Sequence, residues 1–405
     1  MALKKLLNKG TVYKRSDNRW GGMVSYHDEQ GVYRRKSFCA PTKKAVLKKI
    51  GDYIEFFKME IAEADETKKP LRKSMQKWLE VFQYGTVERA TYDRKEDCAK
   101  HYIYPRIGDM IISEITSADL NGILTQMMNE GYSHSTVKHV YSLFKEYFRY
   151  LCYEEHIPKN PMAYVRMIKK ANFLAAQGRE IIARSDAVTV LNDEEIRRLR
   201  EAVFTRNRKG ALKHQQAAAY LLMLNTGLRT GEVLGLLNSD IDLDKRALSV
   251  TRAVKEVSKR DKDGTVCGTE LIVGGMKTAA SKRTIPLNST AIEMILILRT
   301  ERYFGADSPL ISNQVGDFTR PSTFRSRWYT LLDFAGISHK GLHSLRHTFA
   351  TRLINGVEDE NGNLKTLTVR QVADLLGHTT SSVTEKYYVR REPNKLCGIT
   401  DEFEL

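Results

Sequence analysis

The sequence predicts a multidomain α+β protein: a small N-terminal three-stranded sheet plus a helix, a helical middle, and a larger, mainly α domain holding a small antiparallel sheet. Three observations carry this. Short β-type runs cluster before residue 40, apolar residues recur at helical spacing between about residues 72 and 172, and a β-rich stretch from Lys245 to Leu287 interrupts an otherwise helical C-terminal half. At 405 residues the chain is long enough for two or three domains with sizeable cores.

The first domain is expected over residues 1–62. Runs at Thr11–Arg15, Trp20–Tyr26 and Val32–Phe38 are separated by the turn-rich "SDN" and "HDEQG". A helix then starts from Thr42, with Ala45, Leu47, Ile50, Ile54 and Phe57 as its apolar stripe. Tyr33, Arg34, Arg35 and Lys36 share one strand, and the expectation is a sheet face able to enter a nucleic-acid groove.

The helical middle is expected over 72–172. Thr116 to Asp119 resembles a capping box, followed by Leu120, Ile123, Leu124 and Met127 at helical spacing and closed by Gly131. A second helix from Ser135 to Tyr153 carries Val137, Val140, Phe144, Tyr147, Phe148 and Leu151 until "HIPKNPM" stops it. Residues 173–188 show no amphipathic face and read as a linker. The last domain, 189–405, opens with Asn192 as cap and Glu195 three residues later.

Cationic and imidazole side chains stand at four corners of this last domain. In "LNTGLRTGEVLGL", Gly227 can end one helix and Thr230 cap the next, which leaves Arg229 on the corner with its planar fork available to a phosphate. Glu232, in the new first turn, suits the helix dipole. In "GGMKTAASKRTIPL", Lys277 would sit on a hairpin turn. In "HSLRHTFATRL", His343 and Arg346 share a helical face, Leu345, Phe349 and Leu353 anchor the helix, and His347 is read as structural and on a different face. In "LLGHTTSSVTEKYY", Thr368 caps a helix that Gly377 closes, His378 protrudes from the corner, and Ser382 to Glu385 reads as a capping box for a helix bearing Tyr387 and Tyr388. Neighbouring helical residues point about 100° apart, so only one of these tyrosines can face a cleft.

The net charge of +16 favours a polyanionic partner, since neutralising phosphates releases counterions. Residues 1–60 hold 14 Lys/Arg against 6 Asp/Glu, a surplus that is half of the whole excess. Five scattered cysteines without zinc-ligand spacing argue against a disulfide framework or a structural zinc site. No apolar run approaches a membrane span and no signal peptide is read, so a cytoplasmic protein is expected, with no membrane partner.

"TGLRTGE", "KTAASKRTIPL", "HSLRHTFAT" and "LLGHTTSSVTEKYY", in this order, resemble the catalytic domain of the tyrosine recombinase (integrase) family. The helical middle resembles that family's core-binding domain, and the basic N-terminus resembles the arm-binding domain of integrases from phages and conjugative transposons. The resemblance implies that Arg229, Lys277, His343, Arg346 and His378 surround a scissile phosphate, with Glu232 in support. It implies Tyr387 as nucleophile, because Tyr387 stands nine residues after His378, and Tyr388 as a packing residue. The connection "NGVEDENGNLKTLTV" is about ten residues longer than is usual and reads as a surface turn.

The implied chemistry needs neither metal nor other cofactor. Two guanidiniums and an imidazole donor stabilise the charge of the transition state. His343 is the implied base for a phenol whose ordinary pKa is about 10, and Lys277 the implied acid for the departing 5′ oxygen. The 3′-phosphotyrosyl link stores the bond energy for rejoining. The implied partners are double-stranded DNA at core-type and arm-type sites, three further copies of the chain in a tetramer, and an accessory excision or DNA-bending protein. Arg34, Arg35 and Lys36 are the implied arm-site contacts. A type IB topoisomerase would need no arm-binding module, and an inactive DNA-binding descendant would not need the full constellation.

Overall fold

The structure is a computed structural model that describes residues 5–7, 10–28, 32–179, 189–261, 264–275, 282–358 and 364–388; Lys277 and the tail after Tyr388 lie outside the described residues. The chain divides into two compact units, Met1–Ile181 and Ile182–Leu405.

The first unit begins with strands β1 (Lys5–Leu6), β2 (Thr11–Lys14), β3 (Trp20–His27) and β4 (Tyr33–Ala40). All pairings are antiparallel. β4 runs along the whole of β3, while β1 and β2 follow one another along its other edge. The three expected strands are present, and β1 is an addition too short to show as a pattern. Helix α1 (Lys43–Ala64) covers one face, where Val24, Ala40, Val46 and Ile50 form a small core. Gly22 makes that approach possible: a Cβ there would lie 2.6 Å from both Ile50 Cδ1 and Val46 Cγ1.

The register divides the basic residues of β4 between two faces. Val24 pairs with Lys36 and Tyr26 with Arg34, whereas Ser25 pairs with Arg35 and His27 with Tyr33. Cross-strand partners share a face and neighbours alternate. Arg34 and Lys36 therefore lie on the side of α1, Arg35 and Tyr33 on the open side, and a single face carrying Tyr33, Arg34, Arg35 and Lys36 does not form. On the open side the Arg35 guanidinium sits 5.1 Å from the Tyr33 ring centroid and its Nε donates to the Tyr33 hydroxyl (2.8 Å), which in turn donates to Ser25 Oγ (3.0 Å).

Helices α2 (Leu71–Trp78), α3 (Arg89–Cys98), α4 (Tyr104–Ile107), α5 (Ser117–Asn129), α6 (His134–Tyr153) and α7 (Lys170–Ala176) complete this unit. The expected capping box at Thr116 and Asp119 forms, and Val137, Val140, Phe144, Tyr147, Phe148 and Leu151 are all buried. The stretch read as a linker begins instead inside α7: Phe173 is fully buried in the same core as α6, so a single large apolar side chain anchors a helix with no evident stripe.

The second unit contains α8 (Asp193–Phe204), α9 (Ala218–Thr226), α10 (Thr230–Gly235), β5 (Ile241–Asp242), β6 (Ala247–Val250), β7 (Arg252–Arg260), β8 (Val266–Gly275), β9 (Arg283–Pro286), α11 (Ser289–Glu301), α12 (Pro321–Phe334), α13 (His343–Asn355), β10 (Val357–Glu358), β11 (Leu364–Lys365), α14 (Val369–Leu376) and α15 (Ser381–Tyr388). α9 is apolar on all sides and forms the centre of the core: Ala218 through Met223 are buried, and Tyr220 packs on Phe324 and Trp328 of α12. The expected β stretch resolves into two antiparallel pieces, the three-stranded β5-β6-β9 and the long β7–β8 hairpin. The acidic connection after α13 is flanked by the paired β10 and β11. No helix among the described residues is long and apolar enough to cross a membrane.

Two glycines give opposite expectations for stability. Gly22→Ala should destabilise the sheet–α1 packing by about 1–3 kcal/mol through overpacking. Gly51→Ala, at a helical position with nothing within 4 Å of the new Cβ, should stabilise by about 0.5–1 kcal/mol. Limited proteolysis of residues 1–64 in the full chain, with increasing urea, measures both; equal behaviour of the two variants would contradict this packing.

Candidate active site

The end of α9 begins the site. Gly227 takes the left-handed conformation (φ +65°), and a Cβ there would meet the Phe349 ring of α13 at 2.5 Å, so this helix can stop, and α13 approach, only at a glycine. Two residues later Arg229, not the expected Thr230, occupies the N-cap position of α10. Its guanidinium donates from NH1 to Glu232 Oε1 (2.7 Å), and its side chain stays 38% exposed.

Glu232 does more than complement a dipole. It is 1% exposed, and its carboxylate also accepts from the backbone N–H of Arg229 (2.9 Å) and from Arg283 of β9 at NH2 (2.9 Å) and NH1 (3.3 Å). Burial alone would raise its pKa; the charges and hydrogen bonds of Arg283 and Arg229 outweigh that and hold it at about 2.

Arg346 enters from α13, 1% exposed. NH1 donates to the carbonyl of Gly227 (2.7 Å), and NH2 donates to the carbonyl of Leu376 (2.8 Å) and to Nε2 of His378 (3.0 Å). These contacts make the burial of a charge tolerable. Burial and the charge of Arg229 push its guanidinium down to about 9, still protonated at neutral pH.

His378 follows the left-handed Gly377 (φ +67°) that ends α14, as the sequence predicts. A guanidinium can only donate, so Nε2 of His378 accepts from Arg346, and the ring proton is on Nδ1, donating to Thr384 Oγ1 (2.8 Å). Burial and the charges of Arg346, Arg229 and Arg283 push His378 down to about 4, in keeping with a neutral ring. His343, at the start of α13, is likewise lowered, by desolvation and then by Arg346 and Arg229.

His347 departs from expectation. Positions four apart share a helical face, and its ring meets that of His343 edge-on, centroids 4.5 Å apart. Its Nδ1 lies 2.8 Å from the hydroxyl of Tyr388. Burial and His343 push His347 down to about 4. Helix α15 starts at Ser381, so Ser382 lies within its first turn and not at its cap. Tyr388 is 4% exposed in a small core with Ala350, Val372 and Leu376, and burial raises its pKa against the opposing charge of Arg346. Tyr387 is half-buried at the edge of that core, its ring centroid 6.4 Å from that of Tyr388.

The described structure thus brings Arg229, Glu232, His343, Arg346 and His378 together beside the helix of the two tyrosines, while Arg34, Arg35 and Lys36 belong to the first unit. The sequence reading missed Arg283, Thr384 and the contact of His347 with Tyr388. Two buried guanidiniums, a half-buried third and neutral imidazoles can receive a phosphodiester, which brings negative charge to a place that lacks it.

The chain matches the phage integrase family over residues 189–395, and the N-terminal SAM-like domain of phage integrases over residues 71–128. It belongs to the phage integrase family, the tyrosine recombinases. A tyrosine recombinase XerC-like protein of Caldanaerobacter subterraneus subsp. tengcongensis is 28% identical over 381 residues, covering 91% of each chain. The fold is shared with the Tn1549 transposon integrase in complex with a circular intermediate DNA (TM-score 0.60, 19% identity, 80% of this chain and 97% of that one). It is shared also with a lambda integrase tetramer bound to a Holliday junction (TM-score 0.54, 17% identity, 94% of this chain and 97% of that one).

The depressed histidines set a pH dependence. An unfolded histidine titrates near 6.5, but His347 and His378 titrate at about 4 when folded. Between these values the unfolded chain binds more protons, so stability is full above about 6.5 and falls as the pH drops toward about 4. Glu232, at about 2 against an ordinary 4.5, adds a loss only below 4.5. Urea unfolding of the second unit should show a lower midpoint at about pH 5 than at neutrality, and the His347→Gln, His378→Gln double variant should flatten that slope.

Proposed function

We propose that this chain is the integrase of a mobile element, a prophage or a conjugative transposon, that integrates and excises it through a 3′-phosphotyrosyl intermediate. The observation that carries this reading is the convergence of Arg229, Arg346 and His378 on one spot, with the ionised Glu232 paired to Arg229 and the helix of Tyr387 and Tyr388 beside it.

In this reading the phenolic oxygen of Tyr387 attacks the scissile phosphorus, the bond from phosphorus to the 5′ oxygen breaks, and DNA remains attached to the ring through its 3′ phosphate. Arg229 and Arg346 hold the non-bridging oxygens, joined by His378 once the phosphate takes over its partner on Arg346. His343 receives the phenolic proton and Lys277 supplies one to the departing 5′ oxygen. A 5′ hydroxyl from the exchanged strand reverses these steps and releases the tyrosine, so no nucleotide is consumed.

Tyr387 is preferred as nucleophile because it stands nine residues after His378 and is the less buried of the pair. Tyr388 has the character of an anchor: buried, its pKa raised by burial, and its hydroxyl engaged with His347. A second reading, with Tyr388 as nucleophile, is favoured by that same hydroxyl being against His347 and near Arg346.

Exchange of two duplexes calls for four copies, a state that lambda integrase adopts on a Holliday junction. We extend the proposal to core-type sites gripped by the second unit and the helices of the first, to arm-type sites met by Arg34, Arg35 and Lys36, to an accessory excision or DNA-bending protein, and to action in the cytoplasm. The split of the three basic residues between two faces supports arm contact through Arg35 in the groove and Arg34 and Lys36 on flanking phosphates.

The test is covalent trapping on a nicked duplex spanning the junction between the encoding element and its neighbouring DNA. Wild type should form an adduct, Tyr387→Phe should reduce it by about 10³-fold or more, and Tyr388→Phe should keep it while losing about 1 kcal/mol of stability with its hydrogen bond. The reverse pattern assigns the reaction to Tyr388. No adduct with any form on a genuine junction contradicts the integrase reading.

A further inference from the structure

We propose that Arg283 is a positioning residue for strand cleavage, holding His378 in place through the end of α14 and leaving the fork of Arg229 open for the scissile phosphate. This rests on the active-site reading above. Arg283 belongs to the "SKRTIPL" run, where a basic residue on a short strand looks like a solvated edge, yet its side chain is 6% exposed.

Its first contact is with the end of α14. The last carbonyls of a helix have no intrahelical donor. Arg283 Nε donates to the carbonyl of Leu375 (2.7 Å), and Arg346 NH2 donates to that of Leu376 (2.8 Å). Two guanidiniums, from β9 and α13, thus grip successive carbonyls, and the next two residues are Gly377 and His378. The backbone N–H of His378 continues the arrangement by donating to the carbonyl of Ala373 (3.0 Å). Movement of this helix end would carry the His378 ring with it.

The second contact is with Glu232. A carboxylate accepts bidentate guanidinium pairing readily, and Arg229 is the competitor for it. Arg283 engages both oxygens of Glu232, while Arg229 donates NH1 to Oε1 and keeps a 38% exposed side chain. Without Arg283, Glu232 could take the whole fork of Arg229, turning it away from an incoming phosphate. The charges and rings facing Glu232 are those of Arg229, Arg283, Arg346 and His343, at the start of α10 and on β9 and α13.

Arg283→Lys and Arg283→Gln in the full chain test this on the same nicked junction duplex. Affinity for the duplex should stay within about threefold. The rate of adduct formation should fall about 100-fold in the Gln variant, on the scale of losing one preorganised donor, and less in the Lys variant, which keeps the charge. The acid limb of the rate should change shape, with the loss shrinking at acid pH, because Glu232, without Arg283, protonates at higher pH and then releases the captured fork of Arg229. Independently of cleavage, the His378 ring followed by NMR in the DNA-free protein should titrate at higher pH in the Gln variant. Wild-type rate, acid limb and His378 titration in both variants would overturn the inference. So would a rate loss that only parallels a loss of thermal stability, with the acid limb and His378 unmoved. If the wild type itself gives no adduct, the integrase reading fails, and a His378 titration that moves in the Lys variant, which keeps the charge but not the Leu375 contact, still decides whether Arg283 positions that ring.

Discussion

The second unit is organised around the problem of holding three guanidiniums close together. Arg346 and Arg283 are almost fully buried and Arg229 is partly so. Like charges in such a place repel, and burial removes the water that would screen them. One carboxylate and three backbone carbonyls make the cluster tolerable: Glu232, held ionised with a pKa of about 2, and the carbonyls of Gly227, Leu375 and Leu376. Those carbonyls are available because two helices end there, each at a left-handed glycine. The fold supplies helix ends as ligands for arginine, and the cluster they hold retains an excess of positive charge that a phosphodiester can satisfy.

Burial and the same excess together explain the imidazoles. His343, His347 and His378 are all lowered, first by desolvation and then because a further proton would add charge where charge is already in surplus. Neutral rings can accept protons and can pass from accepting a guanidinium to donating toward an oxyanion. The ligand-free arrangement has His378 accepting from Arg346, which sets its tautomer, while the Thr384 hydroxyl can either accept from or donate to Nδ1 and so allows the ring proton to move to Nε2. In the proposed mechanism a phosphate displaces that internal contact, and preorganisation here consists of protein groups standing in for the substrate's oxygens.

Much of this was legible in the sequence for physical reasons. Gly227 and Gly377 are visible as stops because a left-handed residue after an apolar run favours glycine, and the capping boxes at Thr116, Asn192 and Thr368 are local enough to read from four residues. Arg229, His343, Arg346 and His378 stand out as charged or titratable residues at such corners. Arg283 was hidden because a strand residue's burial depends on what packs over it, here α10 and α14, far away in sequence. The contact of His347 with Tyr388 was hidden likewise: the pairing crosses from α13 to α15, and which of two adjacent tyrosines turns inward is decided by the core of Ala350, Val372 and Leu376. The split of Arg34 and Lys36 from Arg35 follows from strand alternation alone and is legible in the sequence, because a period of two cannot put adjacent residues on one face.

In the proposed reaction a tyrosine oxygen of α15 becomes bonded to DNA phosphorus while these cations hold the phosphate. Mass mapping of the nuclease-trimmed, protease-digested complex measures that bond directly. The expected result is a nucleotide 3′-phosphate on the peptide containing Tyr387 and Tyr388, with fragment ions locating it on Tyr387. A nucleotide attached to a serine, histidine or lysine elsewhere in the chain would contradict that reaction.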